Sequence, residues 1–375
     1  MIRLPFKISF PKIKRTPQSC LGVDIGTALI KIVDLGKSGG RIKLENYGDT
    51  SAKTLYEKQF RTFEENALSL STSEIAEAIK AILAEAKIQR KDAVFSIPDF
   101  SSFFTTFELP AMTKEELPQA VQFAAPQHIP LPLSEVTTDW QIVEGNIKDK
   151  KRGNLKILLV AVPNEVIYQY REIAKTSNLE IQGLEAEAFS LSRAVMKNID
   201  EKDLKSTISI IDIGAQSTTC SIIDKGTLKL SHSFDIAGNE LTQTLAKGLG
   251  INYEEAEELK KKYGLKFLSE ASNEENPKKV ARTLATVIDS ILIETERILQ
   301  GFSQLENKKI QKIILAGGTV LIPGLREYFS SHFKIEAEII NPFAKISYPP
   351  ALEEDLKKIG PSYAIAVGSA LRYLE

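Results

Sequence analysis

Gly22-Val23-Asp24-Ile25-Gly26 and Ile210-Ile211-Asp212-Ile213-Gly214 are two renderings of one pattern, and their aspartates stand 188 residues apart. Each apolar run ends in Asp-Ile-Gly. Each then passes a polar turn into a second run (Ile32-Val33-Asp34; Ile222-Ile223-Asp224) and a third (Arg41-Ile42-Lys43-Leu44; Thr227-Leu228-Lys229-Leu230). Agreement over three successive strands predicts two halves built on the same hairpin plan. The residue types give the duplication a chemical reason. A glycine at a strand–turn junction lets the backbone approach an anion and point N–H groups at it. Thr27 in the first turn, and Gln216, Ser217 and Thr218 in the second, add short hydrogen-bond donors. An aspartate cannot hold phosphate directly, since both are negative. Asp24 and Asp212 are expected instead to hold Mg²⁺ through water, and the ion to neutralise the phosphates. Lys31, seven residues after Asp24, can reach back along the hairpin as a point charge. Two such turns facing each other predict a clamp on one polyphosphate between two domains. A third turn, Leu315-Ala316-Gly317-Gly318-Thr319, follows a strand, with Pro323-Gly324 opening the next helix. Its two glycines let a flat ring or ribose lie against the backbone.

Around these motifs the composition is ordinary. A chain of 375 residues predicts two or three domains. Hydrophobic content of 43% with 26% charged residues is globular. The 48 Lys+Arg against 49 Asp+Glu give no global drive toward nucleic acid or acidic substrates. Two cysteines and three histidines exclude a disulfide framework and a Cys/His zinc site. No apolar run approaches the roughly 18 residues of a membrane span, and no signal-peptide core opens the chain. The expectation is a soluble protein of a reducing compartment. Residues 1–17 carry Arg3, Lys7, Lys12, Lys14 and Arg15 among Pro5, Pro11 and Pro17. They read as a flexible basic tail, the alternative being a weak membrane-surface or partner-binding arm.

Periodicity predicts a helix near Ser73–Lys87 and then a separate α+β module at 92–162. Its expected elements are strands Ala93–Ile97 and Phe103–Leu109, a capping box at Thr113 and Glu116, and a helix near Glu115–Gln127. A hairpin of Val136–Val143 and Leu155–Val162 over the charged loop Lys148–Arg152 completes it. The module's helix bears Leu117, Ala120, Val121 and Ala124 at helical spacing. That stripe packs on the module's own strands, or its small alanines leave a shallow apolar groove where the module meets the first half. Helices at Asn164–Thr176 and Glu187–Lys197 flank a strand at Leu179–Leu184. The second hairpin set leads into a mostly helical stretch at 238–303. A strand at Lys312–Leu315, a helix from about Pro323 and a final helix at about Ser362–Leu374 follow.

Two Asp-Ile-Gly hairpins followed by a Gly-Gly turn resemble the actin-like ATPase superfamily of actin, sugar kinases and heat-shock chaperones. Within it the chain is most similar to the PilM family of type IV pilus assembly proteins, with the FtsA family of the division ring second. Gly238-Asn239-Glu240-Leu241-Thr242 and Glu255-Ala256-Glu257-Glu258-Leu259-Lys260 also carry the likeness, which runs from Cys20 to the C-terminus. The resemblance implies an α/β fold of two related halves around a nucleotide cleft. Subdomain IA is expected at 18–91, 163–205 and 360–375, and a relocated α+β subdomain IC at 92–162. IIA is expected at 206–237 and 304–359, and IIB at 238–303.

The same resemblance implies site roles. Asp24, Gly26, Thr27 and Lys31 match the first phosphate motif, and Asp212, Gly214, Gln216, Ser217 and Thr218 the second. Gly317, Gly318 and Thr319 match the adenosine turn, and Glu257 and Lys260 the contacts to ribose and base. Glu187 falls where relatives hold the residue facing the hydrolytic water or metal, which with Asp212 makes the catalytic expectation. The implied cofactors are ATP and Mg²⁺. The second turn reads Gly-Ala-Gln-Ser-Thr where strong ATPases read Gly-Gly-Gly-Thr, and the first lacks a second glycine, so binding with at most slow hydrolysis is expected. The implied function is a cytoplasmic ATP-binding scaffold of the pilus inner-membrane complex. It would be recruited peripherally by the tail of a PilN-like bitopic membrane protein, which the groove at Leu117, Ala120, Val121 and Ala124 would receive. Other pilus proteins and self-association are further expected partners, and nucleic acid is not. An FtsA-like division protein would add a linker and an amphipathic membrane helix after Tyr373-Leu374-Glu375. A small-molecule kinase would need a separate catalytic carboxylate in a substrate cleft, and the sequence offers no candidate.

Overall fold

Leu21, Val23 and Ile25 alternate with Gly22 and Asp24, and all five are buried, as a strand covered on both faces requires. They belong to β1 (Ser19–Ile25), which forms an antiparallel meander with β2 (Leu29–Ser38) and β3 (Arg41–Ser51). The computed structural model describes residues 18–51, 72–145, 154–268 and 275–374. The expected tail at 1–17 and the loop Lys148–Arg152 lie outside the described residues. After α1 (Thr72–Glu85), strand β4 (Asp92–Ile97) returns parallel to β1. The chain then leaves through β5 (Phe103–Leu109), α2 (Leu117–Ala124), β6 (Val136–Glu144) and β7 (Leu155–Pro163). It comes back by α3 (Asn164–Thr176) to β8 (Glu180–Ala186). The first sheet has the order β3-β2-β1-β4-β8, and a separate three-stranded sheet the order β5-β7-β6.

The strand expected to open the module therefore belongs elsewhere. β4 pairs with Leu21–Val23 on one side and with β8 on the other, so the inserted sheet begins only at β5. Helix α2 is also shorter than its stripe suggested. The Thr113–Glu116 capping box forms, with Thr113 N–H on Glu116 Oε2 at 2.8 Å and Glu116 N–H on Thr113 Oγ1 at 3.3 Å. It stands one turn ahead of α2, and Pro126 lies in a 3₁₀ turn, Ala125–Gln127, that follows it.

α4 (Glu187–Asn198) precedes a second meander of β9 (Thr207–Ile213), β10 (Thr218–Asp224) and β11 (Thr227–Phe234). Helices α5 (Gly238–Leu249), α6 (Tyr253–Tyr263) and α7 (Glu275–Glu306) follow. Then come β12 (Lys312–Ala316), α8 (Leu325–Phe333), β13 (Ala337–Ile339) and α9 (Glu353–Leu374). This sheet has the order β11-β10-β9-β12-β13, with β12 parallel to β9 and β13 parallel to β12. A meander extended by two parallel strands describes both five-stranded sheets. The repeat read from two pentapeptides is a repeat of whole sheets.

By contact density the chain divides into two units. Met1–Ala194, Gly226–Ser231 and Ile365–Glu375 make one, and Val195–Lys225 with His232–Ala364 the other. Helix α9 starts nine residues before its expected start, with Pro361 inside it. The carbonyl of Pro361 accepts the N–H of Gly317 at 3.0 Å. Further along, α9 meets its neighbours backbone to backbone. A Cβ at Gly22 would lie 1.8 Å from the Ala366 carbonyl oxygen, and one at Gly368 the same distance from that of Ser190. Only glycine permits either approach.

Candidate functional site

In the first unit, the turn after β1 closes with Gly26 N–H donating to Leu29 O at 3.1 Å. Asp24 and Lys31 are directly opposed across β1 and β2. Asp24 is 1% exposed, and both of its oxygens are engaged: Oδ1 accepts from the Ser96 hydroxyl at 3.1 Å, Oδ2 from Lys31 Nζ at 2.9 Å. A Cβ on Gly26 would come 2.9 Å from Leu29 O, so the glycine lets the turn close on that carbonyl. Thr27 is part-exposed at the tip. Ser96 is a member the sequence did not signal; it reaches the site through the parallel β1–β4 pairing.

The second unit repeats the closure, with Gly214 N–H on Ser217 O at 3.0 Å. Asp212 at the end of β9 is part-exposed, as are Gln216 and Ser217 in the turn. Thr218 departs from its expected role. It is fully buried, and its hydroxyl donates to the Ile236 carbonyl at 2.6 Å, because β10 turns that side chain inward. The carbonyl of Gly214 accepts twice, from Gly238 N–H at 3.1 Å and from the Thr319 hydroxyl at 2.8 Å. Asn239 N–H donates to Ala215 O at 2.7 Å. Gly317 has φ +89°, and a Cβ there would lie 2.4 Å from Ile213 O and 2.5 Å from Asp212 Oδ1. The Gly-Gly turn, the start of α5 and the turn after β9 are thus one bonded assembly. Thr319 positions it, and Gly318 follows Gly317 in the same turn.

Lys260 and Glu257 lie on α6, three residues apart. Lys260 is 5% exposed, and its ammonium meets Glu257 Oε2 at 2.6 Å, Thr242 Oγ1 at 2.7 Å and Gly238 O at 3.2 Å. Burial pushes the Glu257 carboxyl up, but the bonds from Lys260 and Thr242 outweigh it and hold the group below its ordinary range. The lysine expected to touch a base therefore braces α6 against the first turn of α5. Glu187 opens α4 in the first unit. Its Oε2 accepts the N–H of Asp99 at 3.3 Å, while Asp99 Oδ1 accepts the N–H of Ala188 at 3.1 Å. Asp99 caps α4 across 89 residues of sequence, which no local pattern announces.

The expected partner stripe needs correction. Leu117 and Val121 are 1% and 2% exposed and sit in the module's own core with Phe107, Ile157 and Leu159. Ala120 and Ala124 pack against the same cluster. Helical spacing brought them together, but on the face toward β5 and β7. An apolar groove does exist within the first unit where the module meets the first sheet. Ile97, Thr137, Val160, Val162, Leu184 and Phe189 line it, with Glu185 and Arg372, 3.3 Å apart, also on its wall. Two of the strands that line it, β6 and β8, are each at the edge of their sheet.

Among the described residues no three His, Cys, Asp or Glu side chains gather as a metal site, and no helix is long and apolar enough to cross a membrane.

A family model described as Type IV pilus assembly protein PilM matches residues 22–374. Cell division protein FtsA of Streptococcus pneumoniae is 21% identical over 355 residues, covering 86% of this chain and 75% of its own. A chain solved in a PilM-PilN type IV pilus biogenesis complex superposes with a TM-score of 0.81 at 21% identity, over 96% of this chain and 100% of that one. MreB 5 of Spiroplasma citri bound to AMPPNP superposes at 0.50 with 15% identity, over 94% and 95%. The fold is that of the actin-like ATPases.

Proposed function

Since this chain belongs to the PilM family of type IV pilus assembly proteins, we propose that it is an ATP-binding scaffold holding the cytoplasmic tail of a PilN-like membrane protein. The groove beside β6 and β8 carries the scaffold reading. A strand at a sheet edge has backbone donors and acceptors to offer. An extended tail laid along it gains main-chain hydrogen bonds and places alternate side chains among Val160, Val162 and Phe189. Micromolar affinity, roughly −8 kcal/mol, suits that mode. The similar structure solved with PilN supports it. Peripheral recruitment from the cytoplasm to the inner membrane follows from the tether.

The duplicated turns support the nucleotide reading, as does the likeness to a protein solved with AMPPNP. Both turns present a glycine closed by the same i to i+3 bond. We assign the phosphates to Gly26, Thr27, Gly214, Gln216 and Ser217, with Lys31 as the cation, and the adenosine to Gly317 and Gly318. Bound Mg²⁺ would neutralise the phosphates. With no three-carboxylate group among the described residues, its ligands would be chiefly phosphate and water. Part-exposed Asp212 fits an outer contact through water, whereas Asp24 is engaged by Ser96 and Lys31. Turnover should be slow, because Glu187 is tied to Asp99 and the second turn carries Ala215 and Gln216 where strong ATPases carry glycines.

Calorimetry tests both halves. Thr138→Arg, at the exposed mouth of the groove, should weaken a PilN-tail peptide at least about tenfold and leave ATP affinity alone. Asp212→Ala should do the reverse. A peptide bound equally well by the Thr138 variant removes the groove assignment. Unchanged Mg·ATP affinity in the Asp212 variant removes the metal contact.

A further inference from the structure

Both strands that edge the partner groove have a main-chain group already taken by a charged side chain on the groove wall. On β6 the N–H of Trp140 donates to Asp139 Oδ1 at 2.9 Å. On β8 the carbonyl of Leu184 accepts from Arg372 Nη1 at 2.9 Å. Asp139, Leu184 and Arg372 all line the groove. Among the described residues β6 has β7 as its one sheet neighbour, and β8 has β4. In an antiparallel ladder alternate residues turn N–H and C=O away from the neighbour. Trp140 is one of these, since its N–H goes to a side chain, and Thr138, two residues earlier, turns the same way. Charged side chains turned onto an exposed edge keep stray strands from pairing with it.

The two covers are built differently. Arg372 comes from α9 and is fixed where it stands. Its Nη1 also meets Glu185 Oε2 at 3.3 Å, and that carboxylate, 2% exposed, accepts Arg193 Nη2 at 3.0 Å. A Cβ at Gly183 would stand 3.3 Å from the guanidinium carbon of Arg372. Moving Arg372 off Leu184 would disturb a buried carboxylate shared by two arginines, which is costly. Asp139 belongs to β6 itself, one residue from the N–H it covers. A rotation about its own side-chain bonds uncovers that N–H. The β8 edge is therefore shut, and the β6 edge is closed only by a latch.

We propose, resting on the groove reading above, that the tail adds to β6 as the fourth strand of the β5-β7-β6 sheet, and that Asp139 is the gate of that edge. With the groove empty, Asp139 covers the Trp140 N–H. An incoming extended peptide presents a main-chain carbonyl to that N–H, and Asp139 turns aside. The exchange replaces one hydrogen bond by another, so the tail gains less at Trp140 than it would at an open edge. A strand that fits the groove poorly gains nothing there. Asp139 is thus a specificity-determining residue. It makes main-chain pairing conditional on side chains that fill the space among Val160, Val162 and Phe189.

Trp140 is the only tryptophan of the chain, so its fluorescence reports a PilN-tail peptide titrated into the whole protein. Asp139→Ala should bind that peptide about fivefold more tightly, the worth of one hydrogen bond no longer displaced. It should also bind a scrambled peptide of the same composition more tightly than the parent does. Hydrogen exchange gives a reading without peptide. The Trp140 amide should exchange at least about fivefold faster in Asp139→Ala than in the parent, beyond the intrinsic effect of the substitution, and should slow in both when peptide is added. Equal or weaker peptide binding by Asp139→Ala, or an unchanged Trp140 exchange rate, overturns the gate, and the groove stands if Thr138→Arg still blocks the peptide. Slowing at Leu184 instead of Trp140 in the complex moves the tail to β8 and overturns the strand assignment. Peptide binding that Thr138→Arg leaves intact removes the groove reading and this proposal with it.

Discussion

Replacing Lys31 by methionine keeps the aliphatic stem and deletes the ammonium. What remains is Asp24, 1% exposed, with the Ser96 hydroxyl at 3.1 Å. Removing one partner of a buried ion pair costs about 3–5 kcal/mol, because the other charge is stranded away from water. The Lys31 side chain is 12% exposed. Water can enter along its path, which places the expectation near the lower bound, about 3 kcal/mol. For a unit of roughly 200 residues that corresponds to a melting transition about 6–12 °C lower. Asp24→Asn removes the stranded charge and can keep the Ser96 bond. The double variant should therefore recover most of the loss, with a coupling energy of about 2 kcal/mol. Scanning calorimetry of the four proteins without nucleotide measures this. The same Lys31 variant should weaken ATP more than adenosine, since the lost charge lies at the turn to which we assign the phosphates. A single variant that melts with the parent, or a second substitution that restores nothing, would refute the claim that Lys31 holds Asp24 in place.

Thr319→Val should weaken ATP about fivefold by calorimetry, since it deletes one hydrogen bond of about 1 kcal/mol to Gly214 O; PilN-tail affinity should not change. Because Glu257 lies below its ordinary range when folded, it contributes stability above that range and loses it as pH falls through the range to the folded value. Glu257→Gln should therefore flatten the acid limb of melting temperature between about pH 5 and 3, by an amount equivalent to under about 1 kcal/mol for this part-exposed group.

The Asp-Ile-Gly hairpins were legible because their reason is local: an apolar strand, an acid and a glycine at the junction. What the sequence hid depends on partners far along the chain. β4 looked like the first strand of the module because β5 comes next, and nothing local reveals its parallel pairing with Leu21–Val23. The final helix is expected only from about Ser362, yet α9 starts at Glu353 and runs through Pro361. Lys260 on a highly charged helix reads as a solvent or ligand contact. It is buried only because Gly238 and Thr242 come to it from α5. The stripe at Leu117 and Val121 was rightly apolar, but periodicity does not say which neighbour covers it. Thr218 shows the same limit at one residue: its type suits phosphate, and its place in β10 turns the hydroxyl away.

The glycine contacts of α9 also impose an order in time. β1 and α4 reach close packing through Gly22 against Ala366 and through Ser190 against Gly368. Residues 365–374 leave the ribosome only after the roughly 170 residues of 195–364, a delay on the order of 10–30 s at ordinary synthesis rates. During that interval the first unit has its sheet but not the helix that covers β1. The second unit lies mostly in one continuous stretch of sequence, Val195–Lys225 and His232–Ala364. The half begun second can therefore be finished first. The nascent chain therefore carries an open apolar sheet face through nearly half of its synthesis, while residues 195–364 are being added.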